Sequence, residues 1–296
     1  MKVTLHCAHC LLDRAVNQTK LATDDPDLQM RVVSAMLEFL GKNFNTESVP
    51  SHIGTDRDLL VQRMTGRDPY EDLKSESNAM VLSILPDLKE LVEEVTDSNM
   101  RFRRAALVAA AANAIEFDVS GRDFTLDELR HILERVESDL AFDQVEEFMN
   151  LCLRAKEVLF LTDNAGEIVL DMILISEIKR LGPKVIAVVK GGPVLNDATM
   201  TDAEEVGLSH CADEVIDTGA AAIGVNLERN SEAFKDVFLS AELIVAKGMG
   251  NFESMTEFEP HCPTVHIFRT KCLPVADYVG CERNKNVVII RYPDDE

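Results

Sequence analysis

The chain of 296 residues is 46% apolar and carries 52 acidic against 30 basic side chains, a formal charge of −22. That apolar content excludes a disordered chain, and the length suits two domains or one large one. The acidity, with no dense Lys/Arg cluster, excludes the basic footprint that nonspecific nucleic-acid or anionic-membrane binding needs.

The longest apolar run, Ala105–Ala112, is far shorter than the roughly 20 residues that cross a bilayer. The amino terminus has no apolar core of a secretory signal, so a soluble cytoplasmic protein is expected. Bulk acidity reads as a solvated surface. An anionic substrate would need a local counter-charge, for which a bound divalent cation is the obvious source. Seven cysteines in such a chain do not suggest a disulfide scaffold.

The first elements are helical by pattern. Only Gly41, Gly54, Gly66 and Gly121 fall before residue 151, and ten glycines follow it. Pro26 opens a helix with apolar positions at Leu28, Val32, Val33, Met36 and Leu40, and Gly41 is its expected stop. A second amphipathic stretch through Leu59, Leu60, Arg63 and Met64 ends at Gly66. Tyr70–Val95 is helical with an interruption at Pro86. Arg101–Phe117 is apolar nearly all round and should be buried. Thr125 with Glu128 forms a capping box for the next helix.

After about residue 155 short β-branched runs alternate with helical stretches. The strands are expected at Glu157–Thr162, Lys184–Lys190, Glu214–Thr218, Leu243–Lys247, Thr264–Phe268 and Asn286–Arg291. Helices are expected at Glu167–Leu181, Thr201–Val206, Ser231–Leu239 and around Pro274–Tyr278. This is βαβ patterning: an α/β fold with a Rossmann-like, mainly parallel three-layer sheet. The expected division is an all-helical domain over residues 1–150 and an α/β domain over 151–296, rigidly joined.

Ligands of open α/β sheets bind beyond the carboxyl ends of the strands, so the residues after each strand carry the functional reading. The first strand leads into Asp163-Asn164-Ala165-Gly166-Glu167, the second into Gly191-Gly192-Pro193-Val194-Leu195-Asn196-Asp197, and the fourth into Lys247-Gly248-Met249-Gly250-Asn251-Phe252-Glu253. Asp163, Asn164 and Asp197 offer two carboxylates and an amide oxygen, the set a hard cation takes while keeping waters and phosphate oxygens. Backbone N–H groups at Ala165, Gly166 and Glu167, where a helix begins, could receive a phosphate, and Lys247 could add a point charge. Singly, each has a plain alternative: Asp163 as a helix cap, Asp197 as a turn residue, Lys247 as a surface lysine, Gly248 and Gly250 as turn glycines. Their coincidence at three strand ends favours a site. No G-x-G-x-x-G, P-loop, H-E-x-x-H or G-x-S-x-G motif occurs.

These three strand-end motifs resemble those of the damage-control metal phosphatases. Asp68-Pro69-Tyr70 with Lys74 and Asn78, and Asn113-Ala114-Ile115-Glu116-Phe117, resemble that family's helical motifs. Cys7-x-x-Cys10 and Lys271-Cys272 resemble its archaeal and bacterial branch. Ala112 and Glu116 depart from the usual glycine and aspartate. The resemblance implies hydrolysis of phosphate monoesters of small, sugar-phosphate-like metabolites with Mg, Mn, Co or Ni. It implies Asp163, Asn164 and Asp197 as metal ligands, with Asp163 and Lys247 central to catalysis. It places Lys247, Gly248 and Asn251 on the phosphate side, and Asn113 and Glu116 in the substrate wall. Glu167 or Glu253 could orient the nucleophile, although Glu167 equally suits a helix-dipole role. Cys7 and Cys10, flanked by His6 and His9, supply half of a soft-metal site for zinc or iron that Cys272 could complete. A redox pair or ordinary packing are the alternatives. Two other functional classes are an S-adenosylmethionine-dependent carboxyl methyltransferase, for which no cofactor loop is evident, and a non-catalytic metal or metabolite binder.

Overall fold

The computed structural model describes residues 1–111 and 126–294. The expectations at Ala112, Asn113, Glu116 and Thr125 therefore lie outside the described residues. In chain order the elements are α1 (Leu5–Ala22), α2 (Pro26–Asn43), α3 (Pro50–Thr65), α4 (Glu71–Glu93), α5 (Ser98–Ala111), α6 (Leu126–Ser138), β1 (Leu140–Asp143) and α7 (Val145–Cys152). They continue with β2 (Glu157–Leu161), α8 (Glu167–Leu181), β3 (Lys184–Val189), α9 (Met200–Val206), β4 (Glu214–Asp217), α10 (Glu232–Ser240), β5 (Ile244–Lys247), α11 (Gly248–Met255), β6 (Thr264–Arg269), α12 (Leu273–Val279) and β7 (Asn286–Arg291). None of the described helices is long and apolar enough to cross a membrane.

Local chemistry explains most boundaries. Asp25 caps α2 by accepting from the N–H groups of Asp27 and Leu28 at 2.9 and 3.3 Å, and Pro26 supplies a preset φ at the first turn. Three expectations need correction. The α2 helix runs past Gly41 to Asn43, because a glycine weakens a helix without breaking it. The α4 helix passes through Pro86, which only removes one rung of the ladder. Residues 248–255, read as a strand-end loop, form α11.

The sheet has seven strands in the order β1-β7-β6-β5-β2-β3-β4. Neighbours from β6 to β4 pair in parallel, β7 runs antiparallel to β6, and β1 is parallel to β7. The edge strand β1 comes from residues ahead of the expected division at 150. Its short alternating pattern carries no continuous apolar run, which is why the sequence reading passes over it.

Strand alternation feeds two cores. Val158, Phe160, Val185 and Ala187 face α8 and the alanine-rich α5, in one cluster with Leu88 and Phe102. Leu159, Leu161, Ile186, Val188 and Ile244 face Phe234 and Phe238 of α10. The chain leaves β2 for β3 and β4 on one side and returns to β5 on the other, so a topological switch point lies at the carboxyl end of β2. Helix α3 lies across this end. Its Thr55 hydroxyl accepts from Ile223 N at 2.9 Å, and its Asp58 carboxylate accepts from Leu195 N at 3.2 Å.

Candidate active site

Backbone hydrogen bonds zip the loop after β2 to the loop after β3. Ala198 N donates to Asp163 O at 2.8 Å and Ala165 N to Asn196 O at 2.9 Å, forming a bridge between Asn164 and Asp197. Residues 33 apart in sequence thus share one strand end. The amide of Asn164 donates to Asp163 Oδ2 at 3.0 Å and to Glu167 Oε1 at 2.8 Å, which turns its own oxygen away from both carboxylates. Gly248 stands behind Asp163 with φ of +79°, and a Cβ built there would land on the Asp163 carboxylate. Only glycine permits both that conformation and that approach.

Burial dominates the electrostatics of this cluster, and like charge adds to it. Burial, then the charges of Glu167 and Asp197, hold the Asp163 carboxyl well above the usual range against the opposing pull of Lys190 and Lys247. Burial likewise pushes Asp197 up to about 6; Lys190 opposes the shift, and Asp58 and Glu167 add to it. Crowded buried carboxylates call for a cation. Among the described residues no three His, Cys, Asp or Glu side chains converge closely enough to hold an ion by themselves. The donor set is therefore two carboxylates and an amide, which suits a hard ion that keeps waters and phosphate oxygens.

The strand-end lysines divide differently from the sequence expectation. Lys247 neither faces the cluster nor lies on the surface. Its ammonium is fully buried, 2.6 Å from Asp171 Oδ1 on α8. Burial would lower its pKa, but Asp171, Glu167 and Asp163 together raise it, so the ammonium stays charged. Lys190, at the end of β3, stands beside the cluster instead. Its Nζ is 3.7 Å from Asp197 Oδ2 and donates to Gly224 O at 3.2 Å and Asn251 Oδ1 at 3.4 Å.

Other expected phosphate contacts are already committed. Asn251 donates to Thr162 O and Lys247 O at 3.1 and 2.7 Å, so this buried amide braces the loops and Lys190. The N–H of Ala165 is taken by Asn196, and that of Gly166 donates to Asn78 Oδ1 at 2.7 Å. Two of the three N–H groups expected to cradle phosphate thus fasten the loop to its neighbours. Glu253 sits apart from the cluster. Its carboxyl is pushed up to about 7 by burial, opposed by Arg14 and the amino-terminal ammonium. The amide of Asn78 also donates to Asp202 and Glu205, while Lys74 pairs with Asp68 at 3.2 Å, so the helical motif docks α4 onto the strand end.

Helix α1, which carries Cys7 and Cys10, packs on α12, which Cys272 precedes, but among the described residues no three His, Cys, Asp or Glu side chains converge closely enough there to hold an ion. Cys272 is pushed up to about 11 by burial, and the charges of Glu253, Cys7 and Cys10 add to the shift. His6 and His9 are exposed.

Comparison with known proteins fits this geometry. The family model of the damage-control phosphatase ARMT1-like domain matches residues 3–287. The chain belongs to that family. It is 35% identical over 282 residues to a damage-control phosphatase of Archaeoglobus fulgidus, covering 95% of this chain and 96% of the relative. It is 30% identical to damage-control phosphatase PH1575 of Pyrococcus horikoshii, covering 96% and 99%. The crystal structure of that DUF89 family protein superposes with a TM-score of 0.87 over 99% of both chains, at 29% identity. Family membership supports a phosphatase.

Lys190, Asp58 and Asp171 escape the sequence reading. Two signals were available. Lys190 follows the apolar run Val185–Val189 just before a Gly-Gly-Pro turn, and Asp171 is the lone charge within Ile168–Ile175. A charge in such a buried helix needs a partner.

Proposed function

We propose that the chain is a divalent-metal-dependent phosphatase of small phosphorylated metabolites, with Asp163, Asn164 and Asp197 as the residues that hold the ion. The observation that carries this reading is the backbone bridge that brings Asp163, Asn164 and Asp197 together at the switch point of the sheet, with Lys190 beside them. When bound, the ion supplies Lewis-acid neutralisation of the phosphoryl oxygens.

The chain's own residues do the rest. Asn164 is fixed in its place beside Asp163 by its two bonds to Asp163 and Glu167. Lys190 is held by Asn251 and Gly224 and carries the positive charge for a phosphate at Asp197. The Lys247–Asp171 pair lies behind Asp163 and adds positive potential there without touching substrate. The docked helices α3 and α4 fasten the loops at the strand end, through Asp58 to Leu195 N and Asn78 to Gly166 N. Sugar-phosphate-like esters are the proposed substrate class.

The test is release of inorganic phosphate from a panel of sugar phosphates, with chelator-stripped protein and then added Mg, Mn, Co or Ni. Activity lost on stripping and restored by metal is the expected result. Full activity in metal-free protein would overturn the metal dependence, and no release from any ester under any metal would overturn the phosphatase reading.

A further inference from the structure

Helix α2 has one covered face and one bare face. It buries Val32 and Met36 with Ala15 and Ala22 of α1 and Val61 of α3. On the opposite side Met30 and Leu37 are 67% and 54% exposed, and Ser34 and Gly41 are exposed with them. Steps of four, three and four residues align these positions in one seam, the spacing of a two-helix coiled coil. A Cβ built on Gly41 would meet nothing, and its backbone is not left-handed, so the fold itself does not call for glycine there. Glycine weakens an exposed helix; what it gives in return is close approach of another surface.

The charges on α2 select the partner. The chain carries a formal charge of −22, yet the charged residues of this helix, Asp27, Arg31, Glu38 and Lys42, sum to zero. All four are exposed and lie within about 60° of one another around the axis, on one flank of the seam. With Met30 and Leu37 at heptad position d, and Ser34 and Gly41 at a, both Arg31 and Glu38 are e positions. Two copies related by a two-fold axis and running antiparallel bring e against e. Arg31 of each copy then meets Glu38 of the other, and the same register sets Asp27 near Lys42. In a parallel pair e would face g, and the g positions Val33 and Leu40 are uncharged. Shape agrees with charge. The antiparallel layers pair Met30 with Gly41 and Leu37 with Ser34, large against small each time. Glu38 and Lys42 are bonded to each other at 2.6 Å within the helix, and both are about 70% exposed, so this pair is weakly held and open to a partner.

We infer that the chain associates with a second copy of itself through α2, in an antiparallel two-fold contact that sets Arg31 against Glu38 and Met30 against Gly41. Such a contact is isologous and closes on itself. Two 18-residue helices, each about 27 Å long, bury less than a standard interface, so the dimer is weak and forms at micromolar concentrations and above. Helix α2 rests on α3, whose Thr55 and Asp58 hold the loops after β4 and β3. Association therefore buttresses the layer that fastens the strand end, and it is independent of the chemistry performed there.

The experiment is sedimentation velocity of the full chain at low ionic strength, over about 1 to 300 μM. The wild type should pass from monomer to dimer within that range. Arg31→Glu and Glu38→Arg each oppose like charges at two symmetry-related points, and both residues are exposed, so the fold should hold while the dissociation constant rises about tenfold or more. An equimolar mixture of the two single variants restores opposite charges across the contact and should dimerise like the wild type, as should the double variant Arg31→Glu/Glu38→Arg. Gly41→Leu fills the space against Met30 and should weaken the dimer without touching any charge. A wild type that stays monomeric throughout, a dimer that survives both single variants, or a mixture that associates no better than its components overturns the proposal. None of these measurements involves turnover, so the result stands whether or not the phosphatase reading does.

Discussion

Strands β3 and β5 flank β2; Lys190 directly follows the first and Lys247 ends the second, yet the two lysines have opposite surroundings. Lys190 meets carbonyl and amide oxygens and stands 3.7 Å from a carboxylate of the cluster. Lys247 is sealed against Asp171 at 2.6 Å with no exposure on either side chain. The difference arises on α8. Glu167 at its first turn looks into the site, and Asp171, one turn further along, reaches beneath it. A strand-end position therefore says where a lysine starts, and the helix that follows β2 decides whether its charge is available to a ligand.

Removing what both lysines serve gives the largest effect. Asp197→Ala should abolish phosphate release, because it takes away one of only two carboxylates in the metal set, and high metal should rescue it only in part. Calorimetric titration of metal together with turnover checks this; wild-type metal affinity and turnover would remove Asp197 from the site. The comparison itself is tested by Lys190→Ala. This variant should lose on the order of a hundred- to a thousandfold in kcat, the usual effect of deleting one preorganised charge at a transferring group, with metal affinity nearly unchanged. A wild-type kcat would mean that Lys190 merely neutralises Asp197.

Lys247→Ala should act through folding. It leaves Asp171, whose Oδ2 has no hydrogen-bond partner among the described residues, as an uncompensated buried carboxylate. Breaking such a pair from one side costs about 3–5 kcal/mol, while replacing both members with apolar residues is often neutral. Denaturant unfolding of Lys247→Ala and of the double variant Lys247→Met/Asp171→Leu reads this directly. A single variant as stable as the wild type would show that Lys247 is not structural.

The same contrast explains what was legible in the sequence. The expected strands from Glu157 to Arg291 are the observed β2 to β7 within one or two residues, because strands buried on both faces leave continuous apolar runs. The meeting of Asp163, Asn164 and Asp197 was also legible, because strand order and the switch-point rule bring those loops together. The direction of each side chain was not. Nothing local separates Lys190 from Lys247, since their partners Asn251 and Asp171 lie 61 and 76 residues away. The Asn251 amide and the Gly166 N–H looked available because the carbonyls and the Asn78 oxygen that occupy them come from other elements. Helix α1 escaped notice because its cysteines and histidines drew a metal reading, and its few buried positions leave a weak stripe.

A buried polar group with no partner sharpens the contrast from the neighbouring strand. His266 on β6 lies across from Ala246, the residue before Lys247. Both of its ring nitrogens are buried and without a hydrogen-bond partner among the described residues, and its ring meets Phe252 edge-on at 5.2 Å. Burial, with a smaller push from Arg291, draws its pKa from 6.5 down to about 3, so it stays neutral in the fold. Between those two values the unfolded chain binds a proton that the native state refuses. Stability therefore rises with pH through this window and is lost as pH falls below about 6.5. At pH 5 the loss is about 2 kcal/mol relative to neutral pH. His266→Leu removes the titrating ring, and its unfolding free energy should fall less steeply than the wild type's between neutral pH and pH 5. Identical pH slopes in the two proteins would mean that the imidazole finds a proton acceptor inside the fold, and that a buried polar side chain in this sheet need not have its partner in place beforehand as Lys247 does.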